Sequence, residues 1–164
     1  MQIEVRPAKP SDEALIYGFI RDLADYERLL HEVRATQDDI GQALFAPHPR
    51  AFCDIVELDG QAEGFALWFY SFSTFAGRHG IYLEDLFVRP QVRGVGAGKA
   101  LLRALARRCL DEGLVRLEWQ VLEWNQPAIV FYNGLGATSK AEWITRQLTG
   151  DALAKLAEAA PATA

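Results

Sequence analysis

Glycine recurs at alternate positions, Gly94, Gly96 and Gly98, directly after an apolar run over residues 81–88 and directly before a helix-like segment. Glycine lets backbone N–H groups approach an anion with no Cβ in the way. A helix that follows adds free N–H donors and the positive end of its dipole. A strand, such a turn and a helix can together form a phosphate cradle. The spacing is not the dinucleotide G-x-G-x-x-G, and no βαβ half precedes it. A Walker A loop would need Gly in place of Arg93 and Ser or Thr in place of Ala100. A tight strand-to-helix turn without a ligand is the other reading of the same residues.

Glu84 and Asp85 interrupt the apolar run before the turn. Charged groups are rarely buried without partners. They are either a structural pair satisfied by arginines or backbone donors, or a negative patch for a substrate ammonium. Strict strand alternation sends neighbours to opposite faces, so only one of the two is expected in any one pocket. Tyr132, before Asn133-Gly134 near the end of a short helix, has the composition of an amphipathic core residue.

These groups need elements to hold them. Residues 3–6 alternate as a first strand. Ser11 is placed to cap a helix whose apolar face is Leu15, Ile16, Phe19, Ile20 and Leu23, fading near residues 26–31. Thr36 and Asp39 form a capping-box pattern for a second helix through Phe45, stopped by Pro47 and Pro49. Residues 51–58 and 62–72 are expected strands, joined by the hairpin signal Asp59-Gly60. Residues 71–80 have loop composition, and 81–88 is a strand buried on both faces. Leu101, Leu102, Leu105, Ala106 and Cys109 stripe a helix that ends near Gly113. A strand over 116–122, a short helix capped by Asn125, a strand over 142–148 and a helix over 151–159 complete the chain. Antiparallel strands followed by a β-α-β-α unit give an α/β or α+β class.

Length bounds the organisation. The chain has 164 residues, of which half are apolar and 11% aromatic. That is one core, a single domain over 1–160 with a frayed tail at 161–164. A net charge of −5 lacks the basic excess of a nucleic-acid surface. No apolar run approaches a membrane span, and the first residues enter a strand rather than a signal peptide, so the cytoplasm is expected. Cys53 and Cys109 are too few and too isolated for zinc, and both fit a core; no metal is expected.

The segment from Arg93 through Gly94, Val95, Gly96 and Ala97 to Gly98 resembles the pyrophosphate loop of the GNAT acetyltransferases, (Gln/Arg)-x-x-Gly-x-(Gly/Ala). Within that superfamily the chain is similar to diamine (spermidine/spermine) and thialysine acetyltransferases. The similarity is carried by Tyr82-Leu83-Glu84-Asp85-Leu86-Phe87-Val88, by Val121-Leu122-Glu123-Trp124-Asn125-Gln126-Pro127-Ala128, and by Phe131-Tyr132 and Leu135-Gly136-Ala137. It spans residues 3 to about 156.

The resemblance implies a mixed, mostly antiparallel sheet, splayed in the middle, with helices on both faces. It implies acetyl-coenzyme A as cosubstrate. The backbone of Leu86, Phe87 and Val88 would pair with the pantetheine arm. Arg93, Gly94, Val95, Gly96, Ala97, Gly98 and Lys99 would hold the pyrophosphate, and Asn125, Gln126, Pro127 and Ala128 would touch the cofactor from the next helix. Glu84 would meet the amine as ligand or base, with Asp85 second. Tyr132 would serve the departing thiolate. Tyr26, Glu27, Glu118, Trp119 and Gln120 fall at further substrate contacts, Glu118 and Gln120 on one strand face. No Cys/His nucleophile is paired, so the acetyl group passes directly to the amine.

One departure matters. The segment from Phe72 to His79 lacks the acidic residue of the diamine enzymes and carries Arg78 and His79. It resembles thialysine-type enzymes instead, and Arg78 is a candidate for a substrate carboxylate. The expected activity is N-acetylation of a small primary amine (a lysine analogue, diamine or polyamine) by a homodimer. Acetylation of protein lysines or N-termini, and non-catalytic sensing of acetyl-coenzyme A, are the rival readings.

Overall fold

The spacing of Ile16, Phe19 and Leu23 gives the first helix one face that is wholly out of water. In the computed structural model, which describes residues 1–159, that face rests on a five-stranded sheet. The expected tail at 161–164 lies outside the described residues. Two compact units divide the chain, Met1–Gln120 and Val121–Ala164.

The first unit runs β1 (Ile3–Pro7), α1 (Glu13–Tyr26), α2 (Gln37–Phe45), β2 (Phe52–Leu58), β3 (Gln61–Ser73), β4 (Arg78–Val88), α3 (Ala97–Asp111) and β5 (Leu117–Trp119). Strand order follows chain order. The first three pairings are antiparallel, and β4 with β5 is parallel. This is the mixed α/β arrangement expected.

Two cores hold it. Ile16, Phe19 and Leu23 pack with Leu44 of α2 and with Cys53, Ile55, Phe65 and Phe87 of the sheet. Phe19 stacks on Phe65 with centroids 5.7 Å apart. Burying side chains of this size stabilises the fold by about 1.5–3 kcal/mol each. On the other face, α3 buries Leu101, Leu102, Leu105 and Cys109. Both cysteines are free and buried, as a core reading requires.

Local signals explain most boundaries. Thr36 and Asp39 form the capping box of α2: Asp39 N–H donates to Thr36 Oγ1 (3.2 Å), and Thr36 N–H to Asp39 Oδ2 (2.8 Å). Asp59 and Gly60 both take positive φ, as a two-residue hairpin turn demands.

Four expectations change. Ser11 does not cap α1: a 3₁₀ turn over Pro10–Asp12 comes first, and Asp12 precedes the helix. The buried Asp12 carboxylate is held instead by Arg6 (2.7 Å) and by Lys9 N–H (2.8 Å). The expected loop at 71–80 is mostly ribbon, because Ser73 pairs with Arg78 and the rings of Phe72 and His79 meet at 4.9 Å. β5 is three residues long, which leaves Gln120 outside it and removes the shared face with Glu118.

The fourth change is in the second unit, which holds α4 (Gln126–Gly134) and α5 (Gly150–Glu158). Residues 142–148 form no strand. A strand needs a ladder partner, and the unit offers none among the described residues; Trp143 and Ile144 are exposed.

Candidate active site

The site begins with a fault in β4. Tyr82 pairs with Phe69, Leu83 with Trp68 and Asp85 with Leu67, so Glu84 is an extra residue, a β-bulge. Tyr82 and Asp85 lie three apart, which strict alternation would put on opposite faces. Their partners Phe69 and Leu67 lie two apart, so Tyr82 and Asp85 share a face. The bulge breaks the alternation on which the separation of Glu84 from Asp85 rested, and the charge of Glu84 acts on the Asp85 carboxyl.

The same fault ends the pairing with β5. Ile81, Tyr82 and Leu83 pair with Leu117, Glu118 and Trp119, and the ladder stops there. Beyond it, Leu86, Phe87 and Val88 pair only with β3, leaving the β5 side of their backbone without a strand among the described residues. This open edge is the splay that the resemblance implied. It matches the needs of an extended arm with amide groups.

Three carboxylates gather at the fault. Burial, then the charges of Glu84 and Glu27, push the half-buried Asp85 carboxyl up to about 7. Burial raises Glu27, the residue that follows α1. Burial, then Glu84 and Glu118, raise the Tyr82 phenol. No Arg, Lys or His pairs with Glu27, Glu84 or Asp85 among the described residues. Glu118 differs, for Arg116 holds it at 3.0 Å.

The glycine turn has the form a phosphate cradle needs. Gly94 and Gly96 take φ of +83° and +100°. Gly96 is the residue before α3, and its carbonyl accepts the first helical bond, from Ala100 N–H at 2.9 Å. The N–H groups of Ala97, Gly98 and Lys99 therefore lie ahead of the first closed turn. Gly94, Val95 and Gly96 are exposed. These residues fit a diphosphate.

Arg93 is used differently from its neighbours. Its N–H is donated to Pro90 O (3.3 Å) and its Nε to Val88 O (3.0 Å). Its guanidinium lies 4.6 Å from the Tyr26 ring centroid and 5.8 Å from that of Phe87. It ties the turn to the end of α1. Nothing in local sequence signals the contact with Tyr26, which lies 67 residues away in the chain.

Arg78 opens β4, six residues before Glu84. At about 3.3 Å per residue that is roughly 20 Å of strand.

In the second unit, Asn125 is buried and caps α4, its side chain accepting from Ala128 N–H (3.4 Å). Gln126 donates to Glu123 O (3.2 Å), and Pro127 occupies the first turn of α4. Tyr132 lies within α4, half-buried, its ring 5.4 Å from that of Phe131.

Comparison with known proteins adds independent findings. A profile described as the acetyltransferase (GNAT) family matches residues 16–137. The chain is 34% identical to the thialysine N-epsilon-acetyltransferase of Bos taurus, over 94% of this chain and 97% of that protein. It is 31% identical to an L-ornithine N5-acetyltransferase of Arabidopsis thaliana, over 91% of this chain and 85% of that one. Among solved structures, an integron cassette protein from the mobile metagenome of V. cholerae superposes with a TM-score of 0.79 at 26% identity, covering 97% of this chain and 99% of that one.

Proposed function

The chain belongs to the acetyltransferase (GNAT) family, and from that premise we propose that it acetylates a primary amine of a small molecule, a lysine analogue such as thialysine, a diamine or a polyamine. One observation carries the amine side: Glu27, Glu84 and Asp85 gather at the β4 bulge with no cation of the protein paired to them. The relatives named for thialysine and ornithine support a diamino-acid acceptor, since both names specify a side-chain amine.

Acetyl-coenzyme A supplies the activated acetyl group. The N–H groups from Gly94 to Lys99 bind its diphosphate, with Arg93 fixing the turn. The open backbone of Leu86, Phe87 and Val88 takes the pantetheine amides, and Asn125, Gln126, Pro127 and Ala128 make further cofactor contacts. Tyr26, Glu27, Asp85, Glu118, Trp119 and Gln120 shape the acceptor site. Glu84 binds the ammonium or takes its proton, and Tyr132 donates a hydrogen bond or proton to the departing thiolate.

The bulge carboxylates answer a definite cost. An amine of pKa ~10.4 is protonated at pH 7, and the free base lies about 4–5 kcal/mol uphill. A carboxyl raised to about 7 is a stronger base than an ordinary one, so Asp85 can share the proton with Glu84.

The family profile crosses the boundary between the two units, which supports one acetyltransferase domain over residues 1–160. A homodimer in the cytoplasm completes the proposal. Among the described residues no helix is long and apolar enough to cross a membrane, and no group of side chains is arranged for a metal.

Coenzyme A release with thialysine, ornithine, diaminobutane, spermidine and a lysine peptide tests the reading. The free amines, diamino acids first, should be turned over. Release with the peptide alone would transfer the case to protein acetylation, and tight cofactor binding without turnover of any amine would transfer it to a sensor.

A further inference from the structure

A cavity lies in the first unit, away from the residues assigned to acetyl transfer. It is a half-open hollow of about 340 Å³ beyond the end of β1, between α2, α3 and the start of β2. Phe52, Trp68 and Tyr70 line it, with Leu44 on the α2 side and Asp54 and Arg108 as its charged groups. None of these residues has a place in the proposed cofactor or amine sites. Arg108 lies eleven residues past the start of α3, about 16 Å along the helix from the glycine turn.

Its chemistry is specific. Asp54 is 5% exposed, and Trp68 Nε1–H donates to its Oδ2 at 3.0 Å. Its Oδ1 has no hydrogen-bond or ion-pair partner among the described residues. That oxygen is not wholly covered, for the buried side-chain polar atom without a partner among the described residues is Ser71 Oγ, and Asp54 lines the hollow, so its free oxygen is open to a donor. The rings around it form one cluster: Phe52 on Trp68 at 4.8 Å, and Tyr70 edge-on to Trp68 at 5.2 Å. Aromatic faces beside a carboxylate attract cations through both ring quadrupole and charge. The protein already places a cation here: the Arg108 guanidinium lies 5.0 Å from the Trp68 centroid, tethered to Glu112 at 3.2 Å.

We propose that this cavity binds a small organic ammonium, its charged head at Asp54 and its apolar body against Phe52, Trp68 and Tyr70, with Arg108 as the competing resident cation. The site is separate from acetyl transfer and does not depend on that reading. Burial raises the Asp54 carboxyl and the charge of Arg108 lowers it, so the guanidinium acts on the same group the ligand would meet.

The test is NMR of the Trp68 indole N–H in the full chain at pH 8, without acetyl-coenzyme A, titrated with n-pentylammonium or n-pentanol. Pentylammonium should give a saturable shift, and pentanol should bind at least ten-fold more weakly. Asp54→Asn should weaken pentylammonium at least ten-fold, while Glu84→Gln leaves the shift in place, which separates the cavity from the acceptor site. Arg108→Gln, at a part-exposed position of α3, should tighten pentylammonium about three-fold or more and decides the matter if the Asp54 variant fails to fold. Equal affinity for alcohol and ammonium, or unchanged or weaker binding in Arg108→Gln, overturns the proposal.

Discussion

Leu83 and Trp119 form the last rung between β4 and β5. The next residue of β4 is the bulged Glu84, and the two facts have one cause. An extra residue shifts the strand's twist and the phase of its backbone groups. A parallel neighbour that follows β4 up to Leu83 loses register there and leaves. One inserted residue thus opens the strand edge at Leu86, Phe87 and Val88 and brings acidic residues together beside it.

Glu84→Gln removes the charge at the bulge and keeps its size. We expect kcat/KM for the amine to fall about 10–100-fold, within the range of general base catalysis, with coenzyme A affinity changed less than two-fold or so. The acidic limb of the pH–rate profile should move. A lower rate with an unmoved profile would leave Glu84 an ammonium ligand and no base.

Asp85 makes stability depend on pH in the unusual direction for a carboxylate. Its folded value of about 7 lies above the 3.8 of a free carboxyl, so the folded state holds the proton longer. Its destabilising effect is absent below about 4 and grows as pH rises to 7. At 1.36 kcal/mol per unit the full effect is on the order of a few kcal/mol. Asp85→Asn should therefore raise the urea midpoint at pH 8 and leave it nearly unchanged at pH 4. An equal gain at both values would show that ionisation is not the cause.

Asp12 should behave in the opposite sense. The hydrogen bond from Arg6 holds its carboxyl below the usual range, against burial, so it stabilises above the unfolded pKa and loses that effect as pH falls through the folded one. Asp12→Asn leaves Arg6 with only Glu57, at 2.6 Å, as an acidic partner. A loss of about 3 kcal/mol at pH 7 is expected for breaking a buried pair. Urea unfolding should show that loss shrinking toward pH 3; a constant loss would assign it to packing.

Gly96 at φ +100° has the conformation that a Cβ resists. Its added Cβ would touch only Ile3 Cδ1, at 3.9 Å, so crowding is not the obstacle. Gly96→Ala should cost about 1–2 kcal/mol of backbone strain. We expect KM for acetyl-coenzyme A to rise about ten-fold, with KM for the amine nearly unchanged. A rise in the amine KM alone would remove this turn from cofactor binding.

Local chemistry made much of this legible. Thr36 and Asp39, Asp59-Gly60, Asn125 and the glycine turn each carry their geometry within a few residues, and all four form as expected. The misses are non-local. Whether Glu84 is bulged depends on its register against β3, and the length of β5 depends on that bulge. Composition suggested a loop at 71–80 where cross-strand pairing makes ribbon, and alternation suggested a strand at 142–148 where no partner is present. Arg93 on Tyr26, and Asp54 beneath Trp68, join residues that only the fold brings together.

Tyr132 offers the sharpest test of the proposed chemistry, because its two possible contributions differ in energy. A free phenol titrates near ~10 and a thiol near ~8.5, so complete proton transfer to a thiolate is uphill by about 2 kcal/mol. A hydrogen bond to the developing charge carries no such cost and strengthens only as the thiolate forms. Tyr132→Phe keeps the ring and its contact with Phe131 while removing the hydroxyl. On the proposed role, kcat should fall about 100-fold and coenzyme A affinity less than about three-fold, since an interaction made only in the transition state leaves the ground state alone. Rapid-quench measurement of the acetyl-transfer step should locate the loss in chemistry. Parallel ten-fold losses in kcat and in cofactor affinity would instead make Tyr132 a packing residue of α4.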